Sequence, residues 1–152
     1  MDNKIDVNPI IDKIQVPSNL KGIYDKAIIS GMRVMFAKES HQAFLSEVNK
    51  PGPMDEKLAN GIVGLVYILW EKSNKTLPPQ ILIPITTVLT LKAYDFLQQS
   101  GNPDATKEVL GDGLHKAVER VMGKFGVQPD QVEQIVRKNI QGQGMIQGAQ
   151  HG

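Results

Sequence analysis

Two uncharged apolar runs, residues 58–70 and 76–91, constrain this chain more than any other feature. Neither contains an Asp, Glu, Lys or Arg, and only the polar stretch EKSNK separates them. Their backbone polar groups need hydrogen bonds and their side chains need cover from water, so both runs belong inside regular structure at the centre of a fold. Each falls short of the roughly 18–20 apolar residues that a membrane-crossing helix requires. The expectation is therefore a buried helical hairpin and no membrane span. A two-span membrane protein, such as a small lysis pore, is the competing reading, because Asn60, Gly61 and Gly64 share a face that would let two helices pack closely in lipid.

The helices around this hairpin follow from periodicity and capping signals. Ser18 is a candidate N-cap for a helix over residues 18–49, with Leu20, Ile23, Tyr24, Ala27, Ile28, Met35, Leu45 and Val48 recurring at spacings near three and four. Pro51-Gly52-Pro53 stops it. A second helix should start just after Gly52, with Pro53 in its first turn and Asp55 and Glu56 at the positive end of its dipole. It should run to residue 71 or 73 and lie centrally, because its apolar side chains cover nearly the whole circumference.

A third helix is expected over residues 81–97, kinked at Pro84 or regular only from about Ile83. The β-branched cluster Thr86, Thr87, Val88 and Thr90 keeps a strand over residues 81–90 as the alternative. Asn102-Pro103-Asp104 has the form of a helix start, and Val109, Leu110, Leu114, Val118, Val121, Met122 and Phe125 supply the stripe of a fourth helix ending at 123–126. Gly111 and Gly113 weaken that helix by about 1 kcal/mol each relative to alanine and suggest a tight crossing or a local break. Gln128-Pro129-Asp130 repeats the start signal for a short fifth helix through Val132, Ile135, Val136 and Ile140.

The fold class is thus all-α, a single domain of about five helices with a central apolar hairpin. Three parts are expected: an N-terminal arm at 1–17, a helical core at 18–140, and a Gly/Gln-rich C-terminal tail at 141–152. The arm lacks the uninterrupted apolar core of a secretory signal and reads as a mature N-terminus. Its Asn8-Pro9 and Val16-Pro17 steps favour extended or turn backbone. Such an arm could lie on the domain's own flank or on a neighbouring subunit; the expectation is that Ile5, Ile10, Ile11 and Ile14 dock into grooves of partner proteins. Met145 and Ile146 are the corresponding anchors in the tail.

Chemistry-bearing patterns are sparse. The chain has no cysteine, which removes disulfides, thiolate metal sites and a cysteine nucleophile. Asp112, His115 and Glu119 fall at i, i+3 and i+7 and could offer a metal two carboxylates and an imidazole. The HExxH spacing is missing, however, so a solvated helix face is the plainer reading. His41, beside Glu39, could be a general base, but its place near an apolar stripe suits a boundary residue bonded to a carbonyl. Gly111-Asp112-Gly113 and Gly142-Gln143-Gly144 complete no phosphate-binding motif, and no GxSxG elbow is present. No catalytic residue, cofactor or metal site is expected, and no enzyme activity.

Seventeen basic against sixteen acidic residues leave a net charge of +1, so bulk charge does not call for nucleic acid. A local patch remains as the alternative function: Arg120, Lys124, Arg137 and Lys138 on the last two helices would serve a helical nucleic-acid-binding adaptor or regulator. Glu119, Asp130 and Glu133 dilute that patch.

The runs LANGIVGLVYILWEKS, LPPQILIPITTVLTLKAYDFLQQSG and VQPDQVEQIVRKNIQGQG resemble small helical structural proteins encoded among the virion genes of tailed bacteriophages. The resemblance carries no site residue. It implies a repeated particle component, located in the virion after assembly in the host cytoplasm, with copies of itself and other virion proteins as partners.

Overall fold

The computed structural model describes residues 4–37, 42 and 45–126, and every regular element among them is helical. In chain order these are α1 (Asn8–Asp12), a 3-10 turn (Ser18–Leu20), α2 (Lys21–Phe36), α3 (Met54–Lys72), α4 (Pro79–Gln99) and α5 (Lys107–Phe125), with a further helical turn at 45–48. The protein is an all-α bundle. The expected fifth helix and the tail, with Arg137, Lys138, Met145 and Ile146, lie outside the described residues, as do Glu39 and His41.

The centre of the bundle is α4, not α3. Fourteen of its residues are buried, from Ile81 to Gln98, and they face every side. In α3 the buried positions Met54, Leu58, Ala59, Ile62, Leu65, Val66 and Leu69 form one stripe, and Asn60, Gly64, Tyr67 and Ile68 face solvent. An uncharged helix can therefore still be one-sided, because Gly and Asn lengthen an uncharged run without demanding burial.

The strand alternative for residues 81–90 does not occur. Helix α4 is continuous through Pro84 and longer than the apolar run that predicted it. The threonines satisfy themselves within the helix: Thr86, Thr87 and Thr90 donate their hydroxyls to the carbonyls of Leu82, Ile83 and Thr86 at 2.7, 2.8 and 2.7 Å. At 21 residues α4 is long and apolar enough to cross a membrane by length and composition, although most of that stretch is buried within the bundle.

Three boundaries also differ from expectation. The helix expected over 18–49 breaks at Ala37, whose backbone is extended, just after the Phe36 ring meets Phe96 edge-on at 5.6 Å. Ser18 opens a 3-10 turn and makes no side-chain cap. Asn102-Pro103-Asp104 forms a turn in which the Asn102 side chain accepts from the Asp104 N–H at 2.8 Å. The cap of α5 is Thr106, whose hydroxyl oxygen accepts from the Val109 N–H at 3.2 Å. Helix α5 ends as expected, on Gly126 with φ 66°.

Close helix approaches fix the packing. Gly113 sits over Leu58, and a β-carbon there would lie 3.0 Å from a Leu58 methyl. The tight crossing expected near Gly111 and Gly113 is thus made by Gly113, next to the fully buried Ala117. Gly31 does the same for α2 against Leu89 and Leu69.

Candidate functional site

Residues 4–16 lie along the domain's own flank. The buried Gln98 side chain grips the backbone of Ile5 from both directions, its Oε1 accepting from the Ile5 N–H at 2.9 Å and its Nε2 donating to the Ile5 carbonyl at 2.5 Å. Asp95 orients that amide by accepting from Nε2 at 3.1 Å. Lys4 donates to Gln99 at 3.5 Å. Two residues further on, Val7 is buried in the core, and α1 follows with no buried residue. Of the four expected anchors, Ile5, Ile11 and Ile14 pack against the core of their own domain, and Ile10 is the exposed one at 41%.

Where this segment passes α2 and α4 it leaves a trough of about 700 Å³. Ile11, Ile14, Val16, Ile28, Ile29 and Val88 give it an apolar lining, and Asp12, Lys21, Asp25 and Lys92 sit at its edge. Ile29 is 53% exposed, more than any other large apolar side chain among the described residues. Burial, together with the neighbouring Asp25 carboxylate, pushes the Tyr24 hydroxyl up to about 12, so it stays protonated across the physiological range.

A second surface lies where α3 and α5 run side by side in the same direction. At its N-terminal end Lys116 pairs with Asp55 and, at 2.8 Å, with Glu56; Arg120 pairs with Glu56 at 2.5 Å and donates to Asn60 at 2.7 Å. The Lys116 hydrogen bonds hold both carboxyls below their ordinary range, with Arg120 adding to the effect on Glu56, and the same bonds raise the Lys116 ammonium. Arg120, a member of the basic patch in the alternative nucleic-acid reading, is thereby committed to α3.

At the C-terminal end, the rings of Tyr67, Trp70 and Phe125 cluster. Trp70 and Phe125 meet edge-on at 5.3 Å, and Tyr67 lies 5.7 Å from Trp70 and 6.3 Å from Phe125. Lys124, the other described member of that alternative basic patch, holds its ammonium 4.6 Å from the Tyr67 ring centre. Lys75 stands over Trp70 at 5.6 Å. With Leu77, Pro79 and Leu82 these residues line a groove of about 590 Å³. Sequence reading missed this groove because its members come from three separate segments; the rings alone, at 67, 70 and 125, gave no pattern.

The possible metal set does not assemble. His115 and Glu119 are exposed and 3.4 Å apart, and among the described residues no group of three or more His, Asp or Glu could hold a metal ion. Gly111-Asp112-Gly113 lies inside α5 and cradles nothing. No protein-family model matches this chain, and no curated protein or solved structure matches it.

Proposed function

We propose that this protein works by binding, as a non-enzymatic, repeated subunit of a larger assembly, and that the assembly is the particle of a tailed bacteriophage. The observation that carries the binding role is the isoleucine-lined trough, with Ile29 more than half exposed inside a ring of mixed charge. An apolar recess rimmed by polar residues is the usual form of a protein interaction site, whereas isolated surface isoleucines need no explanation. The virion assignment rests on the resemblance of three stretches of the sequence to phage structural proteins. Copies of the chain and other virion proteins would be the partners, and the virion the location.

The test is the native mass of the full chain by size-exclusion chromatography with light scattering, over a range of concentrations, for the wild type and Ile29→Lys. A species larger than a monomer that Ile29→Lys dissociates is the expected result. Ile29 is exposed, so the variant retains its fold, which circular dichroism checks. A wild type that stays monomeric both alone and when mixed with the particle's other proteins refutes the assembly role, and an oligomer indifferent to Ile29→Lys removes the trough from it.

A further inference from the structure

The groove at the C-terminal ends of α3 and α5 combines four features that packing alone does not require. Its walls are aromatic and its floor aliphatic: Leu77 and Leu82 are buried beneath it, and Tyr67, Trp70 and Phe125 present ring surface to it. Its two cations, Lys75 and Lys124, have no carboxylate partner among the described residues, whereas Lys116 and Arg120 one end away are fully paired. Lys75 is carried there by unfavourable backbone: Asn74 and Lys75 are consecutive non-glycine residues at φ 59° and 63°. A β-carbon disfavours that conformation, and here it is held by the Lys75 N–H donating to the Trp70 carbonyl at 2.8 Å. The result is an ammonium fixed above an indole at the mouth of an apolar recess.

We propose that this groove docks a segment of a partner protein in which an apolar side chain is flanked by carboxylates. The apolar group fills the recess over Leu77 and Leu82, and the carboxylates take the Lys75 and Lys124 ammoniums, which stand over the Trp70 and Tyr67 rings. Charge complementarity selects the occupant, because the free charges at the groove are positive. The Glu71 carboxylate acts on the Tyr67 hydroxyl, whose pKa it raises. A single-stranded nucleic acid fits less well: among the described residues the basic track of Lys75 and Lys124 is not extended by Arg120, which is paired with Glu56. The inference deepens the assembly reading and rests on it, since it names the chemistry of one partner.

Trp70 is the only tryptophan in the chain, so its emission reports on this groove directly. The full chain and the surface variant Lys75→Gln/Lys124→Gln are each used to select from a displayed library of short random peptides. The best peptide is then synthesised and titrated while Trp70 emission is followed, with an oligothymidylate titrated in parallel. Enrichment on the wild type of sequences joining Asp or Glu to Leu, Phe or Trp is expected. So is a saturable change in Trp70 emission, weakened by about tenfold or more in the double variant and by added salt. Neutral or basic winners, equal enrichment on both proteins, no enrichment, or saturation by the oligothymidylate alone each overturn the proposal. A failed selection beside an oligomer that Ile29→Lys dissociates discards the groove and leaves assembly standing.

Discussion

Replacing Gly31 by alanine isolates the packing of α2 on the central helix, provided it is paired with the same change at Gly64. An alanine β-carbon at position 31 would lie 2.8 and 3.0 Å from the two Leu89 methyls and 3.3 Å from a Leu69 methyl. Favourable carbon contacts sit at about 3.5–4.0 Å, so α2 must retreat or Leu89 must leave its rotamer. Leu89 is completely buried, so its methyls cannot swing out into solvent. Overpacking of this kind costs about 1–3 kcal/mol, opposed by about 1 kcal/mol from replacing a helical glycine. At Gly64, on the exposed face of α3, nothing lies within 4 Å, so only the favourable term acts. The propensity terms cancel in the difference, which leaves Gly31→Ala less stable than Gly64→Ala by about 1–3 kcal/mol. Urea denaturation followed by far-ultraviolet circular dichroism measures both, and in a chain of this size each kcal/mol appears as about 2–4 °C in Tm. Equal stabilities for the two variants would show that α2 is not seated on Leu89 and Leu69, and would refute the packing described above.

Two further predictions concern the charged bridge and the N-terminal clamp. The Asp55 and Glu56 carboxyls are lowered, so their contribution is complete above the unfolded carboxylate range, near pH 4, and is lost as pH falls through the lower folded values. The raised Lys116 contributes below the ordinary lysine range and loses its effect as pH rises past the folded value. The wild type should therefore lose stability on acidification more steeply than Asp55→Asn/Glu56→Gln, and less so in high salt; parallel acid limbs would contradict the ion-pair geometry. Removing the Gln98 amide by Gln98→Ala should release residues 4–7, raising hydrogen exchange at the Ile5 amide to the level of an open chain and lowering stability by about 1–3 kcal/mol for the bonds lost. An Ile5 amide that stays protected in that variant would show that Gln98 is not what holds the segment.

Helix existence was legible in this sequence because the apolar runs are long and periodic, and α3, α4 and α5 all lie over them, although α5 starts at Lys107 and not at the Asn102-Pro103-Asp104 signal. What could not be read was rank. The choice of α4 over α3 as the centre depends on which faces other elements cover, and Gly61 and Gly64 made α3 look more buried than it is. Asn102-Pro103-Asp104 and Thr106 both carry start signals within five residues, and the Tyr94 hydroxyl, donating to the Ala105 carbonyl at 3.1 Å, belongs with the later one. The isoleucines at 5, 11 and 14 were visible as anchors, but their partner was not, because Gln98 and Val88 are more than seventy residues away. The aromatic groove gave least warning, since a ring at position 125 acquires meaning only from the register of α5 on α3.

That placement of the N-terminal segment also limits how it can take part in an assembly. An arm that simply reached onto a neighbour would expose Val7, whose burial contributes about 1.5–3 kcal/mol, and would break two backbone bonds to Gln98 at about 0.5–1.5 kcal/mol each. It would also uncover a side of α4, the one described helix that demands cover on all faces. A neighbour's segment laid in the same place restores every one of those contacts, because Gln98 reads only the backbone of Ile5 and Val7 is the same residue in each copy. Exchange between copies is thus nearly neutral in contact energy, while one-way extension is not. An assembly that uses these segments must therefore trade them, keeping each α4 covered and each Gln98 engaged.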